Sequence, residues 1–427
     1  MSASLPNSKL NAQAAPAPAL KSVADALAHL LAAVRPIAEH ETVATLAGLG
    51  RTLAEPLASA LDVPGKDNTQ MDGYAVRAAD LVGATAARPV RLPVSQRIPA
   101  GHVGAPLRVG SVARIFTGAM IPDGADAVVM QEQCAFEKTA DGGLVAIGHA
   151  PSPGEWIRRA GEDIRAGSVI LDAGTRLFAQ HLGLAASVGA ASLSVVRRTR
   201  VAIFFTGDEL AMPGETPLAE LKPGAIYNSN RFTLRALLEG LDCEVSDLGI
   251  VPDTLAATRE TLRRAADGHD CIITSGGVSV GEEDHIKPAV EAEGTLDMWQ
   301  IAIKPGKPLA FGWVKGALFL GLPGNPVSSF VTFLLFVRPV LLRLQAVRDV
   351  APRCFTMRAD FDWKKPDRRQ EYLRVKINPA GGLDLFANQG SGVLTSTVWS
   401  DGMVENPPGH AIARGDAVRF IPFSELK

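Results

Sequence analysis

In "SVADALAHLLAAV" (22–34) apolar residues return every three or four positions, which predicts a helix within 21–50, with Ser22 as its N-cap and Pro36 as a breaker. From about 56 to 195 the period shortens to alternating segments such as "ARIFTG", "AVVMQEQ" and "SVILDAG", punctuated by Gly and Pro, as in a β-rich region. Between about 197 and 345 apolar strands alternate with amphipathic helices: "RVAIFFT", "SNRFTLRALLEGL", "CEVSDLGIV", "DTLAATRETLRRAA", "DCIIT". That order predicts a doubly wound, mostly parallel sheet with ligands at the carboxyl ends of its strands. Short segments return after 346 ("EYLRVKI", "GDAVRFIPF") and predict a small C-terminal β-barrel or sandwich. The expected division is a disordered lead-in at 1–20, a helix plus β-rich region at 21–196, an α/β domain at 197–345 and a β-barrel domain at 346–427.

Several strand-end loops carry chemistry. "IITSGGVSVGEED" (272–284) runs a strand into Ser275, Gly276 and Gly277, a turn whose backbone N–H groups suit an oxyanion, and then places Glu282, Glu283 and Asp284 beside it. Carboxylates repel phosphate unless a hard cation bridges them, so the pairing predicts Mg²⁺ shared between acids and phosphate oxygens. "FFTGDEL" adds Glu209, and "GIVPDT" adds Asp253, which has helix capping as its plain alternative. "IKPGKP" sets Lys304 and Lys307 about a Pro-Gly turn where both reach one anion. "LPGNPVSSF" opens a helix with Asn325 and Ser328 beside free N–H groups. For each loop taken singly, a turn glycine or a cap is the plain reading; their convergence on one crevice favours a site.

Composition narrows the classes. A chain of 427 residues, 47% apolar, has room for more than one core. Its 43 Lys and Arg against 45 Asp and Glu give a net charge of -2 and no global field for nucleic acid or an acidic membrane. Cys134, Cys243, Cys271 and Cys354 are widely spaced, without zinc-ligand spacing, and predict reduced thiols in a reducing compartment. The Ala/Pro-rich start lacks the charged head and apolar run of a secretory signal, and "FVTFLLFV" (330–337), ended by Arg338 and Pro339, is too short to span a bilayer. A cytoplasmic location is expected.

Taken together, "DNTQMDGYAVR" (67–77), "RIFTGAMIPDGADAVVMQEQ" (114–133), "RRAGEDI" (158–164), "TGDEL" (206–210), "TSGGVSVGEED" (274–284), "KPGKP" (304–308) and "GLPGNPVS" (321–328) resemble the molybdopterin molybdenumtransferase family, related to the C-terminal part of gephyrin. The resemblance runs from about residue 21 to the end. It implies that adenylylated molybdopterin and molybdate give molybdenum cofactor and AMP with Mg²⁺ assisting, in a homodimer whose cleft is shared between subunits. Carried over by motif, Ser275, Gly276 and Gly277 would meet the substrate phosphate or pterin, Glu209, Asp253 and Asp284 the metal and the reacting anhydride, and Lys304 and Lys307 the anionic groups. Asp67, Thr117 and Asp163 would reach the cleft of the partner subunit. Arg369 in "RRQEYLR" and Ser391 in "NQGSG" would complete an anion site, and the helix opening at Asn325 to Ser328 is the molybdate candidate.

One position departs from the family: Gln300 follows Trp299 where a basic residue is often found, so a positive charge is missing beside the cleft. Two rivals stand beside this reading. The preceding adenylylation of molybdopterin uses a related Thr-Ser-Gly-Gly loop, but the motifs before 195 and after 346 favour molybdenum insertion. A gephyrin-like scaffold is disfavoured by the acids and lysines.

Overall fold

The computed structural model describes residues 20–140, 143–278 and 285–426. The expected lead-in, up to residue 19, and the acids Glu282, Glu283 and Asp284 lie outside the described residues. The chain divides into two compact units. One takes in residues up to Glu41, the short return Gly50–Thr52 and Val196–Lys427; the other is Thr42–Leu49 with Leu53–Val195.

The first unit begins with helix α1 (Val23–Ala33). The Ser22 hydroxyl accepts the Asp25 N–H at 3.0 Å, so the predicted cap is present. The alternating region forms β1 (Arg200–Thr206), α2 (Ser229–Gly240), β2 (Glu244–Val251), α3 (Leu255–Ala266), β3 (Cys271–Ser275), α4 (Ile286–Glu293), β4 (Gly294–Gln300), β5 (Ile303–Lys304), β6 (Pro308–Val314) and β7 (Ala317–Leu322). Six of these strands make one sheet in the order β2-β1-β3-β7-β6-β4. β2, β1, β3 and β7 run parallel, while β6 and β4 join antiparallel.

Strand alternation sends Ala202, Phe204, Ile272 and Phe319 to one face, where they pack with Leu262 and Ala265 of α3 and Ala289 and Val290 of α4. The intervening residues Val201, Ile203, Phe205 and Ile273 are also buried. Both faces are therefore covered, as the expected doubly wound α/β architecture requires. The chain leaves β1 for β2 on one side and then returns past β1 to β3 on the other. The carboxyl ends of β1 and β3 thus flank a topological switch point, the place where such sheets open a crevice.

The run ended in the sequence reading at Pro339 continues instead to Leu344, giving α5 (Pro326–Leu344). Its segment Phe333–Val337 is a π turn. That wider turn shifts the hydrogen-bond ladder just ahead of Pro339, where the missing N–H falls on an already interrupted register. By length and composition α5 resembles a membrane span, but it is largely buried inside the protein and serves as a core helix.

The C-terminal strands are β8 (Phe355–Arg358), β9 (Gln370–Ile377), β10 (Leu383–Leu385), β11 (Gly402–Asn406) and β12 (Ala417–Pro422). They pair in the order β5-β9-β11-β12-β8, with β10 on β9. β5 joins in parallel through Ile303 opposite Gln370 and Lys304 opposite Glu371, tying the "KPGKP" segment to this sheet.

The second unit is β-rich, as expected. Its six-stranded sheet runs Ala127–Met130, Gly73–Val76, Val112–Ile115, Val90–Ile98, Leu144–Ile147, Cys134–Glu137, and it also carries the helix Ala179–Ser187.

Candidate active site

A cavity of about 730 Å³ opens at the switch point of the first unit. Its lining comes from four strand-end loops and from the C-terminal segment. Thr206 ends β1 and Glu209 follows it, Ser275 ends β3 and Gly276 to Val278 follow it, Lys304 to Pro308 form the Pro-Gly turn, Pro323 to Pro326 follow β7, and Arg369 with Gln389 to Ser391 complete the wall. Ser275, Gly276, Gly277, Lys304, Lys307, Glu209, Asn325, Ser328, Arg369 and Ser391, singled out in the sequence, are all brought together here.

The glycine turn is tighter than a bare loop. Gly276 and Gly277 have φ of 97° and 64°. The Gly276 N–H donates to the Leu322 carbonyl at 3.1 Å, so it is not one of the free donors expected at this turn. The Ser275 hydroxyl, 3% exposed, donates to the Pro323 carbonyl at 2.9 Å and accepts from the Asn230 side-chain amide at 2.8 Å. Asn230 also donates to the Gly324 carbonyl at 2.8 Å. Ser275 is thus a brace between two loops, and Asn230, which sequence reasoning passed over, is the second brace. Its only signal is a second Asn just beyond the α2 cap Asn228.

The helix opening likewise differs from expectation. Asn325 occupies the N-cap of α5 but its side chain makes no cap bond, leaving the amide uncommitted by that role. Pro326 brings no N–H, and the Val327 N–H donates to the Ser391 carbonyl at 3.0 Å. The free-donor reading therefore fails at these two positions, because one donor is absent and the other joins two walls of the cavity.

The cations divide by partner. Lys304 Nζ lies 3.1 Å from Oε1 of the fully buried Glu371 and 3.6 Å from Asp367 Oδ2, so it is ion-paired rather than free. Arg369 holds Asp367 in a fork, Nε to Oδ1 and Nη2 to Oδ2, each 2.9 Å. Lys307 is exposed at the rim and makes no ion pair with a described residue. Behind the wall the fully buried Arg374 donates to the Tyr372 and Gly390 carbonyls and to Ser396 Oγ, and burial pulls its pKa down to about 10. Its backbone N–H and carbonyl clamp the Gln389 side chain, at 2.9 and 3.0 Å.

The proposed metal acids separate. Glu209 is exposed in the lining, with its carboxylate folded back over Gly207. Asp253 is not in the lining: it follows the edge strand β2, one strand removed from the switch point. Nor does it cap α3, since Thr254 does so by accepting the Ala257 N–H. Among the described residues no three His, Cys, Asp or Glu side chains gather as a metal site.

In the second unit, three sequence motifs meet. Asp67 accepts from Arg159 Nη1 at 2.6 Å and from the Ala160 N–H at 2.9 Å, and the backbone bond from Ala160 is the main cause holding its carboxyl below the usual range. Thr117 donates both its N–H and its hydroxyl to Asp72 Oδ1, at 2.8 and 2.7 Å. The Asp72 carboxylate, missed as a partner in the sequence, is lowered in pKa first by the Thr117 N–H. Asp163 is exposed on the same loop as Arg159 and anchors it through its N–H to the Val63 carbonyl.

Gln300 lines a second cavity, also about 730 Å³, together with Lys307 and Arg369. Its carbonyl accepts the Lys21 N–H, and the Lys21 ammonium lies 4.0 Å from the centroid of the Trp299 ring. A cation from just before α1 therefore stands over the residue that precedes Gln300. Gln300→Lys is expected to tighten oxyanion binding about fivefold, the scale of a partly hydrated charge contact, with the gain shrinking at high salt. Titration with a tetrahedral oxyanion at two salt concentrations checks it; unchanged values with an intact fold would place Gln300 outside the site.

Comparison with known proteins agrees with this layout. Residues 21–189 match the MoeA N-terminal region (domain I and II), 202–343 a probable molybdopterin binding domain, and 356–423 the MoeA C-terminal region (domain IV). The chain is 40% identical over 387 residues to a molybdopterin molybdenumtransferase of Haemophilus influenzae, covering 88% of this chain and 92% of that one. It is 36% identical over 404 residues to one from Nostoc sp., covering 92% and 91%. A crystal structure of a molybdopterin biosynthesis moeA protein from Pyrococcus horikoshii OT3 superposes with a TM-score of 0.81 at 28% identity, covering 95% of this chain and all of the other.

Proposed function

The chain belongs to the molybdopterin molybdenumtransferase family, and from that premise we propose that it inserts molybdenum from molybdate into adenylylated molybdopterin, releasing AMP with the assistance of Mg²⁺. The observation that carries the reading is the single cavity at the switch point, where a glycine turn, Lys307, Arg369 and the Ser328 and Ser391 residues face one volume. A cavity of about 730 Å³ lies within the usual range of roughly 300–1,000 Å³ for small-molecule and cofactor sites. Tetrahedral oxyanions need several donors converging from different directions, and the lysine rim with the Ser391 segment supplies them.

Each group has a task in this reading. Gly277 and the walls of the β3 turn hold the phosphate or pterin end, while Lys307 and Arg369 orient molybdate with Ser328 and Ser391. Asn325, uncommitted as a cap, offers an amide to the same anion. Lys304, paired with Glu371, contributes position more than net charge. Glu209 would hold a Mg²⁺ ion together with phosphate oxygens and water, with Asp284 of the same sequence reading as the second acid, since Mg²⁺ uses few protein carboxylates. When bound, the ion would neutralise charge developing at the anhydride. The wide spacing of Cys134, Cys243, Cys271 and Cys354 in the sequence supports a reducing, cytoplasmic setting.

The test is reconstitution with adenylylated molybdopterin and molybdate, following AMP release and molybdenum incorporation with and without Mg²⁺. ATP consumption with unmodified molybdopterin would favour the adenylylation reading instead. In the same proposal the Asp67, Thr117 and Asp163 cluster completes the cavity of a partner subunit in a homodimer. Mixing Asp67→Ala subunits with Asp284→Ala subunits is then expected to restore roughly a quarter of the native activity, because random pairing makes about half of the dimers mixed and each mixed two-fold dimer carries one intact site of its two. No recovery despite proven subunit exchange would separate that cluster from the cavity.

A further inference from the structure

Arg369 reaches the cavity with its Nε/Nη2 edge already filled. Its Nε and Nη2 donate to the two oxygens of Asp367, and its backbone N–H donates to Oδ1 of the same carboxylate at 3.0 Å. Two parallel N–H donors on two oxygens is the arrangement by which a guanidinium holds a phosphate-like anion. Asp367 is therefore a planar stand-in for the ligand that Arg369 is placed to bind. Its Oδ2 also lies 3.6 Å from Lys304 Nζ, so it draws on two of the cavity's cations at once. The Arg369 hydrogen bond holds the carboxyl well below the ordinary range, so it is charged wherever the protein is folded at neutral pH.

We infer that Asp367 is a built-in competitor: it occupies the Nε/Nη2 edge of Arg369, and an oxyanion gains that bidentate edge only by displacing it. The inference rests on the cavity being the oxyanion site of the proposed function. Local geometry makes the exchange feasible. Asp367 stands two residues before Arg369 on one turn and is 21% exposed in its side chain, so it can swing to water without unpacking a core. Around Arg369 the charges nearly cancel, Lys304 and Arg369 against Asp367 and Glu371, with Lys307 and Arg368 at the rim of the neighbouring cavity. A monoanion gains little by replacing a carboxylate of equal charge. A tetrahedral dianion gains more, because its extra charge also meets Lys304 and Lys307. Asp367 thereby sets a threshold for entry that a dianion, held by the two lysines as well, clears more readily than a monoanion.

The opposing view makes Asp367 a clamp that aims Arg369 at the ligand, and it predicts the opposite sign. Titration calorimetry of the full chain with molybdate alone, and with nitrate as a monoanion, separates them. Asp367→Asn is expected to bind both molybdate and nitrate about five- to tenfold more tightly, the scale expected when one competing charge is removed from a partly hydrated site. The gain should vanish in the Asp367→Asn, Arg369→Gln double variant. Asp367→Ser repeats the test with a side chain too short to hold the fork, and urea midpoints report folding for every variant. If molybdate binding by the native chain depends on Arg369 but neither Asp367 variant tightens it, the competitor is overturned while the site stands. If native binding is indifferent to Arg369→Gln, the assignment of the oxyanion to this cavity falls, and the competitor with it.

Discussion

Replacing Gly276 with alanine is expected to lower molybdenum insertion by about 100-fold or more, the scale of a reacting-group misplacement near 1 Å, and to destabilise the fold by about 2–3 kcal/mol. Two independent costs act at this position. Its φ of 97° is outside the range that residues with a Cβ adopt readily. A Cβ there would also stand 2.9 Å from the Thr206 carbonyl oxygen, which is backbone at the end of the neighbouring strand and has no rotamer by which to retreat. Relief must come from moving the turn away from β1, which shifts Ser275, Gly277 and the Pro323 contact together. Gly268→Ala is the control: its φ of 76° carries the same kind of strain, but nothing lies within 4 Å of the added atom. That variant should lose about 1 kcal/mol with activity intact. Urea midpoints and initial rates for both variants decide. Equal activity in the two would mean that the turn does not shape the reacting geometry.

Glu371→Ala is expected to cost about 3 kcal/mol, the lower end for breaking a buried ion pair, because Lys304 keeps partial access to water. The carboxylate is fully buried and every neighbour donates to it: Lys304 Nζ at 3.1 Å, Trp363 Nε1 at 2.7 Å and Asn406 Nδ2 at 3.3 Å. Only a group that accepts on both oxygens satisfies this set. Glu371→Gln, which turns an NH₂ toward a donor, should therefore recover only part of the loss. Chemical denaturation of the three proteins measures it, and full rescue by Gln would show that the carboxylate charge is not required.

The strand-helix alternation between 197 and 345 was legible because period and punctuation are local properties of the chain, and so was the gathering of loops at the carboxyl ends of parallel strands. Site residues sharing one motif were legible for the same reason. What escaped was pairing across long separations. Lys304 looked like a free cation because its partner, Glu371, stands 67 residues later on β9. The Gly276 N–H looked free because its acceptor, Leu322, belongs to β7. The Val327 N–H looked free because Ser391 comes from the C-terminal segment. In each case the sequence displays a donor, and only the tertiary fold reveals that it is already spent. Pro339 misled for another reason: a π turn just before it changes which carbonyl needs a partner, and apolar patterning does not register that shift. Asp253 misled because strand order, which places β2 at the edge, is not written in strand identity.

The parallel pairing of Lys304 with Glu371 bears on how the protein can be taken apart. A fragment cut to the doubly wound sheet would keep the glycine turn and the Pro-Gly turn, yet it would strip Lys304 of its carboxylate, leave the β5 edge without its neighbour and remove Ser391 from the Val327 N–H. The α/β core is accordingly not a portable module for engineering. Grafting its cavity into another scaffold requires carrying the β9 edge along, or redesigning the lysine turn to stand without it.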